Sequence, residues 1–367
     1  MRGIAALWVM LFHIDVSLFY RDYGALLPRT ETGILSRGYL WVDFFFLLSG
    51  FVMAHVYSQQ LLQRPRAESI TQYLWARFAR IYPLHLFTLL VLMISVPVVA
   101  NLCPAVVDGS WTTYFAWSAV PSNLLLTQSM NQHVYLSWNM VSWSIAAEWW
   151  TYVLAIPLMM LMASMRLGFS IIVAVVSAIL LVCLVYSLPA HNLDITFNYG
   201  FFRCLFEFTI GLMLYQLFKR NLLRDLLARD WIALGLLAAI ILVFHTGWQD
   251  LLVVPLFSLL ILALAYNRGR MEALLNKPAL QYLGTISYAI YMVHCLWFMV
   301  FWFSFPLLKN HWGVASFSPA AKLLYLAIFV SLTLLSSHFI HHYIERPAQR
   351  KLLALFKRAP VKAVVES

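Results

Sequence analysis

The chain has 367 residues, of which 62% are hydrophobic and 11% charged, and its mean hydropathy is +0.79. That composition excludes a soluble globular domain and marks an integral membrane protein. The formal net charge of +10 raises nucleic acid as a partner, but the basic residues cluster in alternate connections between apolar runs, which is a topology signal and excludes that reading.

Runs apolar and long enough to cross about 30 Å of hydrocarbon fall at 3–20, 39–57, 81–100, 143–163, 168–188, 200–218, 231–248, 250–266, 282–305 and 320–343. The expected fold is all-α, a polytopic transmembrane bundle of about ten spans. The first run has no small-residue cleavage site and is followed by the polar "YRDYGALLPRTETG", so it reads as a retained helix. With the N-terminus cytoplasmic, Arg21, Arg29, Arg37, Arg203, Lys309 and Lys322 lie on the far side and the other 19 of the 25 basic residues lie inside, Arg64, Arg66 and Lys362 among them. Both termini are then cytoplasmic by the positive-inside rule. The aromatic segment 111–130, with Pro121 in it, reads as an outer loop or re-entrant element, because a span there would export 14 of the 17 basic residues beyond position 130.

The long connections are the outer loops 21–38, 101–142 and 306–319 and the inner loop 58–80. Residues 1–345 are expected to form one membrane domain and 346–367 a basic cytoplasmic tail. Cys103, Cys183, Cys204 and Cys295 show no short spacing, so neither a disulfide framework nor a zinc knuckle is indicated.

Ionisable groups at membrane depth need a partner, a water-filled cavity or a function. Arg2 and His13 are eleven residues apart, close to three helical turns, so they share a face about 16 Å apart. His13 falls near mid-depth, either hydrogen-bonded to a neighbouring helix or acting as a catalytic or proton-relay group. Asp43 in "GYLWVDFFFLLSGF" lies a turn inside the outer surface, where it could cap or pair. Glu148 in "SWSIAAEWWTY" follows Ser144 by four residues on one face. It could orient an imidazole, bind a hydroxyl-bearing substrate, or pair with an arginine. In "WARFARIYPLH", Arg77 and Arg80 are one turn apart at the cytoplasmic start of the third span, a geometry that suits a phosphate clamp or ordinary lipid-headgroup anchoring. Ser287, Tyr291 and His294 make a polar stripe on the ninth span. Arg203 and Glu207, four apart, are expected to neutralise each other. His338, His342 and Glu345 have metal-ligand spacing, but histidines at a helix end commonly snorkel or cap, and no metal is expected.

Together these segments resemble the acyltransferase-3 family of integral membrane acyltransferases, in order and over almost the whole chain. "RGIAALWVMLFH" is similar to the family's Arg-x10-His helix, "VDFFFLLSGF" to its second-helix signature and "RFARIYP" to its Arg-x2-Arg-x-Tyr-Pro element. "SWSIAAEWW" resembles its Ser-Trp-Ser-x3-Glu segment, "ISYAIYMVH" its late Tyr- and His-bearing helix, and "IERP" its terminal Glu-Arg-Pro. The resemblance implies a ten-helix core in the bacterial inner membrane that moves an acyl group, acetyl by default, from cytoplasmic acyl-CoA to a hydroxyl of an extracytoplasmic glycan or similar acceptor. No bound cofactor is implied; acyl-CoA is a co-substrate.

Carried over by position, Arg2 and His13 occupy the catalytic motif, Arg77 and Arg80 the CoA phosphate element, and Glu148 an inner polar position. His13 is the expected general base, oriented by Glu148, and an acyl-histidine intermediate is the variant. Asp43, Ser144, Tyr291 and His294 are the expected supporting or substrate-binding set. The family usually has a few residues before the arginine, whereas here Arg2 follows Met1, which points to an upstream start codon. The family's optional hydrolase-like domain has no counterpart in the sequence. Two other readings use the same buried groups, a transporter or glycan flippase with a His/Glu proton relay and a histidine-ligated redox or metal protein; inverted repeats, which would favour the transporter, are not seen.

Overall fold

A computed structural model describes residues 1–63 and 67–358. Arg64, Arg66 and Lys362 of the expected cytoplasmic set lie outside the described residues, as does the end of the basic tail, 359–367. Among the described residues there is no strand, and sixteen helices follow in order. They are α1 (Arg2–Tyr20), α2 (Trp41–Gln63), α3 (Ala67–Leu102), α4 (Gly109–Tyr114), α5 (Val120–Leu124), α6 (Trp143–Ser164), α7 (Leu167–Ser187) and α8 (Gly200–Lys219). The second half holds α9 (Arg224–Leu227), α10 (Asp230–Thr246), α11 (Val253–Tyr266), α12 (Arg270–Leu275), α13 (Pro278–Thr285), α14 (Ser287–Asn310), α15 (Pro319–Ile340) and α16 (Arg346–Arg358).

Eight of these helices are long and apolar enough to cross a bilayer, and α10 and α11 are shorter apolar helices. Every apolar run read from the sequence is therefore a helix, and the two short ones, of 17 and 14 residues, rise only about 25 and 21 Å. The expected inner loop 58–80 is not a loop. α2 runs on to Gln63 and α3 begins at Ala67, because hydropathy marks where a helix is apolar and not where its hydrogen-bond ladder stops. Segment 111–130 forms no span; it holds α4 and α5, with Asp108 capping α4 by accepting the Trp111 N–H at 2.9 Å.

α2 and α8 pack more extensively than any other pair, and α8 also packs on α6 and α7. Their backbones meet at Gly50 and Gly211, where an added Cβ would overlap the Phe208 and Leu47 carbonyl oxygens respectively. Small residues at such a crossing let membrane helices approach closely enough for van der Waals packing to hold them. α1 lies against α14 and α13. At the end of the bundle where α1 stops, Asp250 gathers three connections: it pairs with Arg37, accepts the Tyr39 hydroxyl at 2.6 Å and accepts the Leu193 N–H at 3.0 Å. Asp15, on α1, likewise accepts Leu26 N–H at 2.7 Å and pairs with Arg29 at 2.8 Å. Past α15, a π-helical turn at His341–Glu345 leads into α16, which packs on α3 and accepts the Trp75 indole N–H at its Leu352 carbonyl.

Candidate active site

Two cavities approach each other inside the bundle. The first, about 130 Å³, lies between α1, α2, α3, α6 and α14. Three arginines line it, and they are held differently. Arg2 has no hydrogen bond or ion pair among the described residues. Arg77 donates to the Tyr57 hydroxyl at 3.0 Å. Arg80 donates to Glu345 at 2.5 Å, and the other oxygen of Glu345 meets His341 at 2.9 Å across the π-helical turn. His341 and Glu345 are four residues apart on that turn, and Glu345 reaches from it to α3. Glu148 and Ser144 both line the cavity from α6; Glu148 accepts the Ser49 hydroxyl from α2, and Tyr152 lies 3.4 Å from that hydroxyl. The Ser144 hydroxyl meets Tyr291 at 2.7 Å.

The second cavity, about 570 Å³, opens toward the other end of the bundle and is lined by His13, Asp194, Arg203 and a wall of aromatic side chains that includes Tyr39, Trp143 and Trp302. Val42 and Tyr291 line both cavities and form the partition between them. His13 Nδ1 is 2.8 Å from the Val9 carbonyl and 3.2 Å from His294 Nε2, and His294 Nδ1 is 3.0 Å from the Ile290 carbonyl. A carbonyl only accepts, so each Nδ1 carries the hydrogen and His294 Nε2 is left as an acceptor for His13. His13 Nε2 then holds a lone pair and has no hydrogen-bond partner among the described residues. A neutral imidazole with a fixed tautomer and a free Nε2 in a cavity is equipped to take a proton from a hydroxyl.

Arg203 closes one side of this second cavity and is fully committed. Its Nε and Nη2 donate to the two oxygens of Asp43, each at 2.8 Å, and its Nη1 donates to the Ile195 carbonyl at 3.2 Å. Both side chains of the pair are buried.

The family model described as "Acyltransferase domain", of the acyltransferase-3 family, matches residues 1–341. The chain belongs to this family. The membrane acyltransferase is 28% identical to the acyltransferase MdmB of Streptomyces mycarofaciens, over 98% of this chain and 92% of that one. It is also 40% identical to the protein 2 in picA locus of Rhizobium radiobacter, over 24% of this chain and 38% of that one. No solved structure matches it.

In the acyltransferase, Arg2, Arg77, Arg80, Glu148, Ser144 and Tyr291 come together at one cavity, and His13 stands in the other with His294 behind it. Two expected pairings are replaced. Glu148 does not orient His13: it is bound to Ser49 in the first cavity, and the group that touches His13 is His294, because α14 rather than α6 packs on α1. Arg203 makes no ion pair with Glu207; its guanidinium turns across to α2 and takes Asp43 in a two-pronged pair. His338, His342 and Glu345 also go separate ways: His338 meets the Tyr282 hydroxyl at 2.5 Å, His342 the His338 carbonyl at 2.9 Å, and Glu345 turns to Arg80. All four cysteines are free. Asp194, which reaches the second cavity, carries no motif. Its signal in the sequence is a single carboxylate in the short polar connection "HNLDITFNYG" between two apolar runs.

Proposed function

We propose that the acyltransferase binds acyl-CoA with its phosphates at Arg2, Arg77 and Arg80 and passes the acyl group past Val42 and Tyr291 to a hydroxyl held in the His13 cavity. Guanidinium groups bind phosphate oxygens through paired N–H donors, and Arg2 has all of its donors to spare. His13 Nε2 takes the proton of the acceptor hydroxyl as the oxygen attacks the thioester carbonyl. The C–S bond then breaks, and the imidazolium returns the proton to the departing thiolate, giving an ester and CoA thiol. Glu148, Ser49 and Ser144 line the donor side, Tyr291 the partition, and the Val9 carbonyl fixes the His13 tautomer with His294 as a second acceptor.

The excess of basic residues in alternate connections supports a cytoplasmic donor side in a bacterial inner membrane, with both termini inside. Acetyl is the donor group and a glycan the acceptor that the family resemblance favours, and a wall of tryptophan and tyrosine faces suits a sugar ring. The observation that carries the reading is the pair of cavities, one cationic and one histidine-bearing, that share a partition. His13→Ala in purified protein should lower acceptor acylation by a factor of about 10² or more with an unchanged gel-filtration profile. Full activity in that variant would exclude His13 as the base, and transport of a substrate with no acyl transfer would favour the flippase reading.

A further inference from the structure

Among the charged side chains lining the His13 cavity, one has no partner. Arg203 spends Nε and Nη2 on Asp43 and Nη1 on a carbonyl. Nearby, Asp250 is held by Arg37, Tyr39 and Leu193 N–H, and Arg21, stacked 4.3 Å from the Trp302 ring centroid, is paired with Asp108 at 3.2 Å. The Asp194 carboxylate forms no hydrogen bond or ion pair among the described residues. It belongs to the connection between α7 and α8, and its position there is built: Leu193 and Ile195 on either side are buried, Leu193 N–H is tied to Asp250, and Asp194 N–H is tied to Asn192 at 3.0 Å. With both neighbours anchored inward, the carboxylate between them is left facing the cavity.

The charges around the cavity therefore do not balance. Arg203 stands against three carboxylates, its partner Asp43 together with Glu207 and Asp194, and Asp194, the one that lines the cavity, sets a surplus negative charge among aromatic rings, the combination that binds an organic cation through ion pairing and ring faces together. Asp194 is exposed to solvent, yet the surrounding cavity walls hold its carboxyl above its ordinary range; Arg203 opposes this, and Asp250 and Asp43 add to it. A cationic ligand would relieve that cost.

We infer that Asp194 is the acceptor-recognising carboxylate of the His13 cavity, and that the acceptor carries a protonated amino group beside the hydroxyl that receives the acyl group. This rests on the proposed function in placing the acceptor in the His13 cavity. The ligand class is an amine-bearing alcohol such as an amino sugar, and the amine is a handle for binding, not the site of transfer.

A matched pair of alkyl glycosides tests it, one with a dimethylamino group, which cannot be acylated to an amide, and one with a hydroxyl at the same carbon. The protein is the full chain in detergent. Direct binding without acyl-CoA should favour the amine by tenfold or more, and O-acyl product analysis should show KM lower by a similar factor. Asp194→Asn should bring both ratios to within about twofold of unity, and Asp194→Glu should recover much of the preference. Equal binding of the two glycosides, or a preference that survives Asp194→Asn in a variant with an unchanged gel-filtration profile, overturns the inference. Activity that survives His13→Ala would instead overturn the proposed function and leave the binding comparison standing on its own.

Discussion

Where α1 ends, Arg21, Arg29, Arg37 and Lys309 each meet a carboxylate, Lys322 meets the Ala25 carbonyl, and Arg203, deeper in, is held on three nitrogens. Where α1 begins, Arg80 is held by Glu345 through one nitrogen, but Arg77 meets only a phenol and Arg2 has no hydrogen bond or ion pair among the described residues. The same residue type thus serves two ends. A guanidinium closed by a two-pronged carboxylate is spent on holding helices in register, and one left open in a cavity keeps its donors for an anion. The difference separates architecture from binding without any reference to sequence motifs, and it can be broken from either side.

The largest effect is expected at the closed end. Asp43→Asn takes the two-pronged partner from the buried Arg203, leaving it only the more distant charges of Glu207 and Asp194, and should cost about 3–5 kcal/mol, read as a lower unfolding midpoint in detergent. Removing both charges, in Asp43→Asn with Arg203→Met, should recover much of that loss, because an uncompensated charge is costlier than none. If the double variant is as unstable as the single one, Arg203 owes its place to more than this pair.

At the open end the expected pattern is inverted. Arg2→Gln should leave the unfolding midpoint nearly unchanged and raise KM for acyl-CoA by tenfold or more, about 1.4 kcal/mol of binding. KM for the acceptor should stay put. A variant that loses stability while keeping its donor KM would place Arg2 with Arg203, among the structural arginines.

The contrast also marks what could be read before the fold. All ten apolar helices were visible, because the bilayer imposes length and hydropathy on each segment separately. The residues grouped at the first cavity, Arg2, Arg77, Arg80 and Glu148 with Ser144 one turn before it, were legible for the same reason: a charged or polar group inside an apolar run is conspicuous. Pairings across helices were not. Arg203 is separated from Asp43 by 160 positions and His13 from His294 by 281, and helical spacing alone favoured the local partner Glu207 and the motif partner Glu148. Asp194 and Asp250 were silent because they lie in connections, where a carboxylate is ordinary until the fold buries it, as it does Asp250, or sets it on a cavity wall, as it does Asp194. The extension of α2 to Gln63 and the start of α3 at Ala67 were hidden for a different reason, since a polar helix leaving the membrane has no hydropathy signature.

The smallest effect is expected behind His13, where His294 joins the two halves of the comparison. It is as buried as Arg203, yet what it contacts is the free-standing His13. His294→Phe keeps the volume and an aromatic ring but removes the Nε2 acceptor, leaving the His13 Nδ1–H with the Val9 carbonyl alone. A hydrogen bond of this kind is worth about 1 kcal/mol, so kcat should fall roughly five-fold. A residue that only fills space would move the unfolding midpoint and leave kcat per folded molecule alone. A residue that only binds donor would move KM. His294→Gln, whose amide oxygen can accept the same N–H, should restore part of kcat, and equal loss in both variants would mean that packing against α1, and not the acceptor atom, is what His13 needs from α14.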